Sequence, residues 1–569
     1  MLKRTFILYT FVAILGVATY ASDRTDAEMR SIAMRHLLGS ATRGAAPAAK
    51  ELTLEMKDNQ LSVYSAEGRG FVVVSRDNTF PAVLGASSTA IDMNNLPDGF
   101  RWWLQEASRS LRERLENGEW YVRTRSEFSV EPFLTTKWDQ GAPYNLKCPK
   151  IATDNCPTGC VATAAAQIMK YYNYPAQGCG KGKYAKNGIP RTKEINGVYD
   201  WANMQNTYAK TQKTLTTETE AIATLMADVG AACGMNYTGN YGSATLEDCA
   251  NALVNNFQYD SLSLSMYYRY FFDDVEWKGI VYNELSNKRP ILYAGSPNNT
   301  EEGAGHAFVF HGLNDEGMVY VNWGWGGVCD GYYDIDVLQP GKDAVQKGDY
   351  SANGQIIFGF NPTNTPSEDV VERSIWVTDT ISSFFIEGDS LMLKARRMIN
   401  YNYRSFRGRL LVAFENINGV EEDCYNALLY DTEDTENENG GPVPQYYGFT
   451  FNTEDRDKFG QEAICSLKDN TIKAGTYIVT LASQALHEPE ISPMRYYKGI
   501  KCQTMLVKGE DGSVTLSELT PTAIKSTMTT KKPSDSSTIY DLHGRRVGTD
   551  LKAMSKGIYI IDGKKTVMN

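Results

Sequence analysis

The chain has 569 residues, 42% hydrophobic and 22% charged, with 57 Lys and Arg against 68 Asp and Glu for a formal net charge of −11. That length exceeds one ordinary domain and predicts about three or four units. The acidic balance excludes a polyanion-binding footprint, so no nucleic-acid partner is expected.

The first residues give a basic pair, Lys3 and Arg4, an apolar run to Val17, and small residues at Ala18, Ala21 and Ser22. This is the pattern of a cleavable secretory signal over 1–22. The run is short for a membrane anchor, and no later segment is apolar enough to span a bilayer, so an exported chain without a membrane span is predicted.

Residues 23–129 read as a small α+β unit: a helical pattern "DAEMRSIAMRHLLG", strands near "LTLEM", "LSVYS" and "GFVVVSRD", and an amphipathic helix "DGFRWWLQEASRSLRERLENG". The stretch "YVRTRSEFSVEPF" that follows has no clear period and suits an exposed connector. From 130 to 362, helical stretches such as 160–172 and "TETEAIATLMADVGAACGM" give way to a β-rich region full of Gly and aromatic residues, an α+β pattern. Strands dominate 363–520 ("SIWVTDTI", "LLVAFENI", "GTYIVTLAS"), which predicts a β-sandwich; its acidic loop "DTEDTENENGG" reads as a solvated hairpin tip. A polar linker over 521–537 leads to a short β-rich tail, 538–569.

Ten cysteines lie at irregular spacing between 148 and 502. If one is a free nucleophile, at least one more must be unpaired, so a disulfide framework is not the main expectation. In "CPTGCVATAAAQIMKYYNYP" the positions Val161, Ala165, Ile168, Met169 and Tyr172 recur at helical spacing and Pro175 closes the run. Cys160 then sits in the first turn, where free backbone N–H groups and the helix dipole favour a thiolate. The bland alternative is a buried thiol or a disulfide with Cys156 or Cys148. Cys156 is expected to be structural, its pairing with Cys148 left open. No metal or other cofactor is expected, because no further His or Cys follows at ligand spacing.

A thiol nucleophile needs a base, and the chain has five histidines. Only His306 and His311 fall within 130–362. Both lie in "GHAFVFHGLNDEGMVYVNWGWGG", which reads as two strands around a turn, with His306, Phe308 and Phe310 on one face and His311 on the other. A loop at 312–317 sets 311 opposite 318 and 306 opposite 323, with Asn322 within one residue of His306, where its amide can fix the imidazole tautomer. Trp323 would shield that contact, and Gly324, Gly326 and Gly327 would leave room for a substrate backbone. The Cys160 amide is one oxyanion donor; Gln140 in "KWDQGAPYN" fits as the second, although taken alone a Gln there reads first as a surface turn residue.

These segments, "TGCVATAAAQIMKYYNYP", "GHAFVFHG", "VNWGWGG" with "DGYY", and "DQGAPYN", resemble the streptopain family of papain-like cysteine peptidases, and "GFVVVSRDNTFPAVLGASS" with "NNLPDGFRWWL" resembles its propeptide. The resemblance implies an α+β fold with a papain-like two-subdomain peptidase at 130–362 and a propeptide at 23–129. It implies Cys160 as nucleophile, His306 as general base and acid, Asn322 as its orienter, Trp323 as the shield, Gln140 in the oxyanion hole and Gly305 as a substrate-backbone contact. It also implies a latent zymogen, its own propeptide acting as an intramolecular inhibitor. The expected partners are protein and peptide substrates, with an apolar residue preferred two positions before the scissile bond. Arg123 and Arg125 in the connector suit processing. The tail "YDLHGRRV…SKGIYIIDGKK" looks like the end of a type IX secretion sorting domain, which implies contact with a secretion machinery or cell surface. Two other classes stay open: a cysteine amidase or transglutaminase-like acyl transferase, and an adhesin or carbohydrate-binding protein working through its β region.

Overall fold

The structure, a computed structural model, describes residues 23–39, 52–118, 130–295, 305–338 and 354–362, most of 383–519, and isolated residues and short strands elsewhere. The expected signal at 1–22, Arg123 and Arg125, the linker at 521–537 and much of the acidic loop lie outside the described residues. No helix among the described residues is long and apolar enough to cross a membrane.

Helix α1 (Asp26–Leu38) starts at a capping box in which the Thr25 hydroxyl accepts from the Glu28 amide and the Glu28 carboxylate reaches back to Thr25. Four antiparallel strands follow, β1 (Leu52–Lys57), β2 (Leu61–Ala66), β3 (Gly70–Ser75) and β4 (Val83–Ser87), then helix α2 (Asp98–Glu116). Every position of β3 is buried because both faces are covered. Val72 and Val74 pack with Met29, Ala33 and Leu37 of α1, while Phe71 and Val73 belong to the core that contains Phe100, Trp103 and Leu104 of α2.

Helices α3 (Cys160–Tyr172), α4 (Thr217–Ala232), α5 (Leu246–Asn255) and α6 (Asp274–Ser286) carry the next stretch. Its strands are β5 (Ser265–Tyr268), β6 (Ile291–Gly295), β7 (His306–Leu313), β8 (Val319–Asn322), β9 (Gly331–Tyr333) and β10 (Gln355–Phe358). One sheet runs through both regions in the order β1-β2-β3-β4-β9-β8-β7-β6-β10-β5. Its joint is the antiparallel pairing of β4 with β9, Gly85 opposite Tyr333 and Ser87 opposite Gly331. A Cβ at Gly331 would stand 2.1 Å from the Ala86 carbonyl oxygen, so the close approach depends on glycine. The α+β class expected from the sequence is the class observed. That the N-terminal strands extend the sheet of the following region is not visible in the sequence, because edge pairing is non-local.

Beyond residue 382, a sheet of Tyr425–Asp431, Gly408–Asn416, Gly475–Ala485, Gln503–Lys508 and Val514–Ser517 faces a smaller one of Ser383–Glu387, Ser390–Ala395 and Gly460–Ser466. Leu391 and Leu393 from one and Leu410, Val412, Val479 and Leu481 from the other share a separate core. This β region docks on the α6 side. Arg495, 1% exposed, reaches the Glu276 carboxylate at 2.5 Å and lies 5.3 Å above the Phe272 ring, and the Tyr403 hydroxyl donates to the Leu264 carbonyl at 3.0 Å. The tail forms four short strands, Ile539–Tyr540, Arg546–Gly548, Gly557–Ile561 and Lys564–Met568, in one antiparallel sheet.

Candidate active site

Cys160 opens α3. Its N-cap residue, Gly159, has φ of +86°, and a Cβ there would stand 2.6 Å from the Met235 side chain. Glycine brings no capping side chain, and the Thr158 hydroxyl pairs with that of Thr163 at 2.7 Å instead. No side chain therefore caps the first turn. Burial pushes the Cys160 thiol above the ordinary cysteine range, while the amides of Ala307, Val161 and Cys160 itself pull it down. The sequence predicts a lowered pKa from the helix dipole; in this arrangement desolvation is larger, and the resting sulfur is a thiol.

His306 begins β7 and is buried, which lowers its pKa to about 4. Its Nε2–H donates to the Trp323 carbonyl oxygen at 2.8 Å, a contact that pulls the pKa back up. That leaves Nδ1 as the ring's acceptor. The imidazole stacks on Trp325 with ring centres 4.5 Å apart, and Trp325 stacks on Trp323 at 5.2 Å. Among the hydrogen bonds of the described residues, none joins Cys160 to His306. His311 lies on the other face, as the strand alternation predicts, and its Nδ1 accepts from the Leu134 amide at 3.1 Å. Burial holds its pKa down at about 3.

The register of β7 and β8 departs from the expected one. The turn runs from Asn314 to Met318, tied by the Met318 amide to the Asn314 side chain at 2.8 Å, and the ladder is irregular between Phe310 and Leu313. Asn322 consequently pairs with Val309, three residues beyond His306, and faces α3. Its amide is spent there. Nδ2 donates to the Thr136 carbonyl at 2.8 Å and to Gln167 Oε1 at 3.0 Å, while Oδ1 accepts from Gln167 Nε2 and from the Gly324 amide, both at 3.0 Å. The acceptor for His306 is thus the Trp323 backbone.

Trp323 is fully buried beside Phe308, ring centres 4.6 Å apart, and its amide donates to the buried Asp330 carboxylate at 2.9 Å. Desolvation raises the Asp330 pKa to about 7. The three glycines shape the turn itself. Gly324, Gly326 and Gly327 have φ of +76°, +69° and +87°, and Gly326 donates its amide to the Trp138 carbonyl at 3.0 Å, so the turn needs them to lie along residues 137–139.

Gln140 is brought next to the nucleophile's loop: its carbonyl accepts from the Thr158 amide at 3.0 Å, two residues before Cys160. Gly305 is exposed and directly precedes β7. Cys148 and Cys156 are both free, buried thiols, so the pairing left open between them is not formed. Burial pushes the Cys148 thiol up to about 12.

Helix α2 covers the base. A Cβ at Gly99 would stand 2.7 Å from the Trp325 ring and 3.2 Å from His306 Cγ. Phe100 meets Trp323 edge-on at 5.7 Å, and Trp103 meets Tyr333 at 4.9 Å while its indole N–H donates to the Val337 carbonyl at 3.1 Å. Gln167, Trp325, the Ala307 amide and Gly99 are not singled out by the sequence reading. The detectable signal was for Gln167, a polar residue seven positions after Cys160 and so on the same helix face.

A nucleophile at a helix head beside a strand-borne histidine is the arrangement of a thiol hydrolase. The model of the peptidase C10 family matches residues 138–333. Streptopain from Streptococcus pyogenes is 30% identical over 373 residues, which cover 60% of this chain and 92% of streptopain. The chain belongs to the peptidase C10 family. It is a cysteine peptidase. The thiol protease/hemagglutinin PrtT of Porphyromonas gingivalis is 28% identical over 374 residues, 61% of this C10 peptidase and 42% of PrtT. Among solved structures, a fragment of Prevotella intermedia prointerpain A is 30% identical, with 55% of this chain and all of that one covered at a TM-score of 0.49. Active interpain A from the same organism is 35% identical, covering 42% of this chain and 98% of its own at a TM-score of 0.37.

Proposed function

We propose that this C10 peptidase is exported as a latent zymogen and becomes an endopeptidase through Cys160 and His306 once residues 23–129 are removed. The observation that carries the reading is the position of α2, which packs Gly99, Phe100 and Trp103 onto His306, Trp325 and Trp323 while His306 and Cys160 share no hydrogen bond. A neutral thiol and a neutral imidazole that share no hydrogen bond are not the ion pair that attacks a peptide.

With α2 gone, the imidazole keeps its Nε2–H on the Trp323 carbonyl, turns Nδ1 to the thiol and takes its proton. The sulfur attacks the scissile carbonyl carbon, forming an S–C bond and an oxyanion. The Cys160 amide and the Gln140 side chain stabilise that charge. His306 returns the proton to the leaving amine, the C–N bond breaks, and a thioester remains. Water, deprotonated by His306, then releases the carboxylic acid and restores the thiol. The Trp323 ring shields the imidazole from water, and Gly305 borders the substrate. Specificity for an apolar residue two positions before the cut follows the family resemblance. Residues 538–569 serve export or surface attachment.

Expression of the full chain and of its Cys160→Ala variant tests the reading. The wild type should shed its N-terminal unit and release new N-termini from an unfolded protein, with apolar residues enriched two positions before each cut. The alanine variant should stay intact and inert. Cleavage by the alanine variant would overturn the assignment.

A further inference from the structure

Gln167 has a place that packing alone does not require. Its carboxamide is fully buried, on α3 two turns from Cys160, within a helix whose neighbouring core positions are Ala, Ile and Met. A buried amide is costly unless its polar atoms are paired. Here it is paired in one direction only: Oε1 accepts from the Trp138 amide at 3.2 Å and from Asn322 Nδ2 at 3.0 Å, and Nε2 donates to Asn322 Oδ1 at 3.0 Å. Two carboxamides joined head to tail fix each other's orientation, because turning either one sets donor against donor.

The fixed orientation passes to the turn. With Oδ1 of Asn322 held toward the Gly324 amide at 3.0 Å, residues 322–324 close a short loop in which Gly324 takes its positive φ. Trp323 stands at the centre of that loop. Its amide is tied to Asp330, and its carbonyl oxygen is the acceptor of His306 Nε2–H. Both Asn322 Oδ1 positions are already taken, so the amide has no free acceptor for the imidazole.

We propose that Gln167 is a positioning residue of this peptidase: by clamping Asn322 it fixes the 322–324 turn, and through the Trp323 carbonyl it sets the tautomer and aim of His306. The helix that carries the nucleophile thereby also determines where the base points. The proposal rests on the assignment of Cys160 and His306.

The test uses the processed enzyme with Gln167→Leu, Gln167→Glu and Cys160→Ala, each assayed per titrated active thiol or, for the alanine variant, per folded protein. Gln167→Leu should lower kcat at least about tenfold with KM within about twofold, and should move the alkaline limb of the kcat/KM profile toward neutral pH, because the imidazolium loses a well-placed acceptor. Gln167→Glu should regain activity relative to wild type as the pH falls, since a protonated carboxyl can donate to Asn322 Oδ1 and accept from Nδ2 while a carboxylate cannot donate. A leucine variant with lower melting temperature but unchanged kcat and unchanged limbs overturns the proposal, as does a glutamate variant whose activity relative to wild type is flat with pH. If the leucine variant fails to fold, the glutamate profile decides. Activity in Cys160→Ala would instead overturn the site assignment itself.

Discussion

Gly99 and Trp325 meet so closely that no side chain fits between them: a Cβ at residue 99 would stand 2.7 Å from the Trp325 ring and 3.2 Å from His306 Cγ. The contact joins the first turn of α2 to the ring stacked on the base. Gly99→Leu should therefore lift α2 from the site. Zymogen blocked from self-processing at its connector should gain peptidase activity by about tenfold or more, read with a fluorogenic peptide. Unchanged latency would show that α2 does not restrain His306.

Trp103 buries its indole against Tyr333 and Phe100 and hydrogen-bonds Val337. Trp103→Ala should destabilise the zymogen by about 3–5 kcal/mol, the range for removing a buried aromatic side chain. Processed enzyme from the same variant should have wild-type kcat/KM, because the residue has left with the propeptide. Denaturant melts of Cys160→Ala zymogen and kinetics of the processed protein check both halves.

His311 gives a pH dependence of known sign. Its pKa is about 3 when folded against an ordinary value of 6.5, so the unfolded chain binds the proton more readily. Its contribution is intact above about pH 6.5 and is lost as the pH falls toward 3. A glutamine side chain at this position would offer an acceptor to the Leu134 amide without titrating. His311→Gln in the Cys160→Ala background should lose about 2 kcal/mol less than its parent between pH 7 and pH 4.5, taking 1.36 kcal/mol per unit as the upper limit. Parallel losses in urea melts at the two pH values would contradict this.

Arg495 and Glu276 tie the β region to α6 across a buried contact of 2.5 Å. Removing either side chain breaks a buried ion pair, which typically costs about 3–5 kcal/mol, whereas removing both costs less. Arg495→Met and Glu276→Gln should each speed proteolytic release of the β region, and the double variant should be slower to release than the sum of the two predicts. Additive behaviour would mean that the pair does not hold the docking.

What could be read in advance follows the range of the interactions. The head of α3 is local: small and apolar residues at helical period, a glycine before Cys160 and a proline after. His306 follows from scarcity and from alternation, which separates it from His311. The pairing of Asn322 is not readable, since the turn and the irregularity near Phe310 move its partner from the expected residue 307 to Val309, two residues farther from His306 on the same face. The thiol pKa goes wrong for a related reason: the helix dipole is local, but the burial that outweighs it comes from chain brought in by the fold. Gln167 looks like any polar residue until Asn322 is seen opposite it. The joining of β4 to β9 links residues more than 240 positions apart, with no sign in either strand.

Cysteine labelling before and after processing tests the central claim most directly. With iodoacetamide at pH 6 and mass-spectrometric mapping, Cys160 should be inert in the latent chain, where burial raises its pKa and His306 is held elsewhere. After the N-terminal unit is removed it should label at least about a hundredfold faster, in step with loss of activity, and His306→Ala should abolish the gain. Equal labelling of Cys160 in both forms, or loss of activity through a different cysteine, would contradict a nucleophile at Cys160 kept from its base by α2.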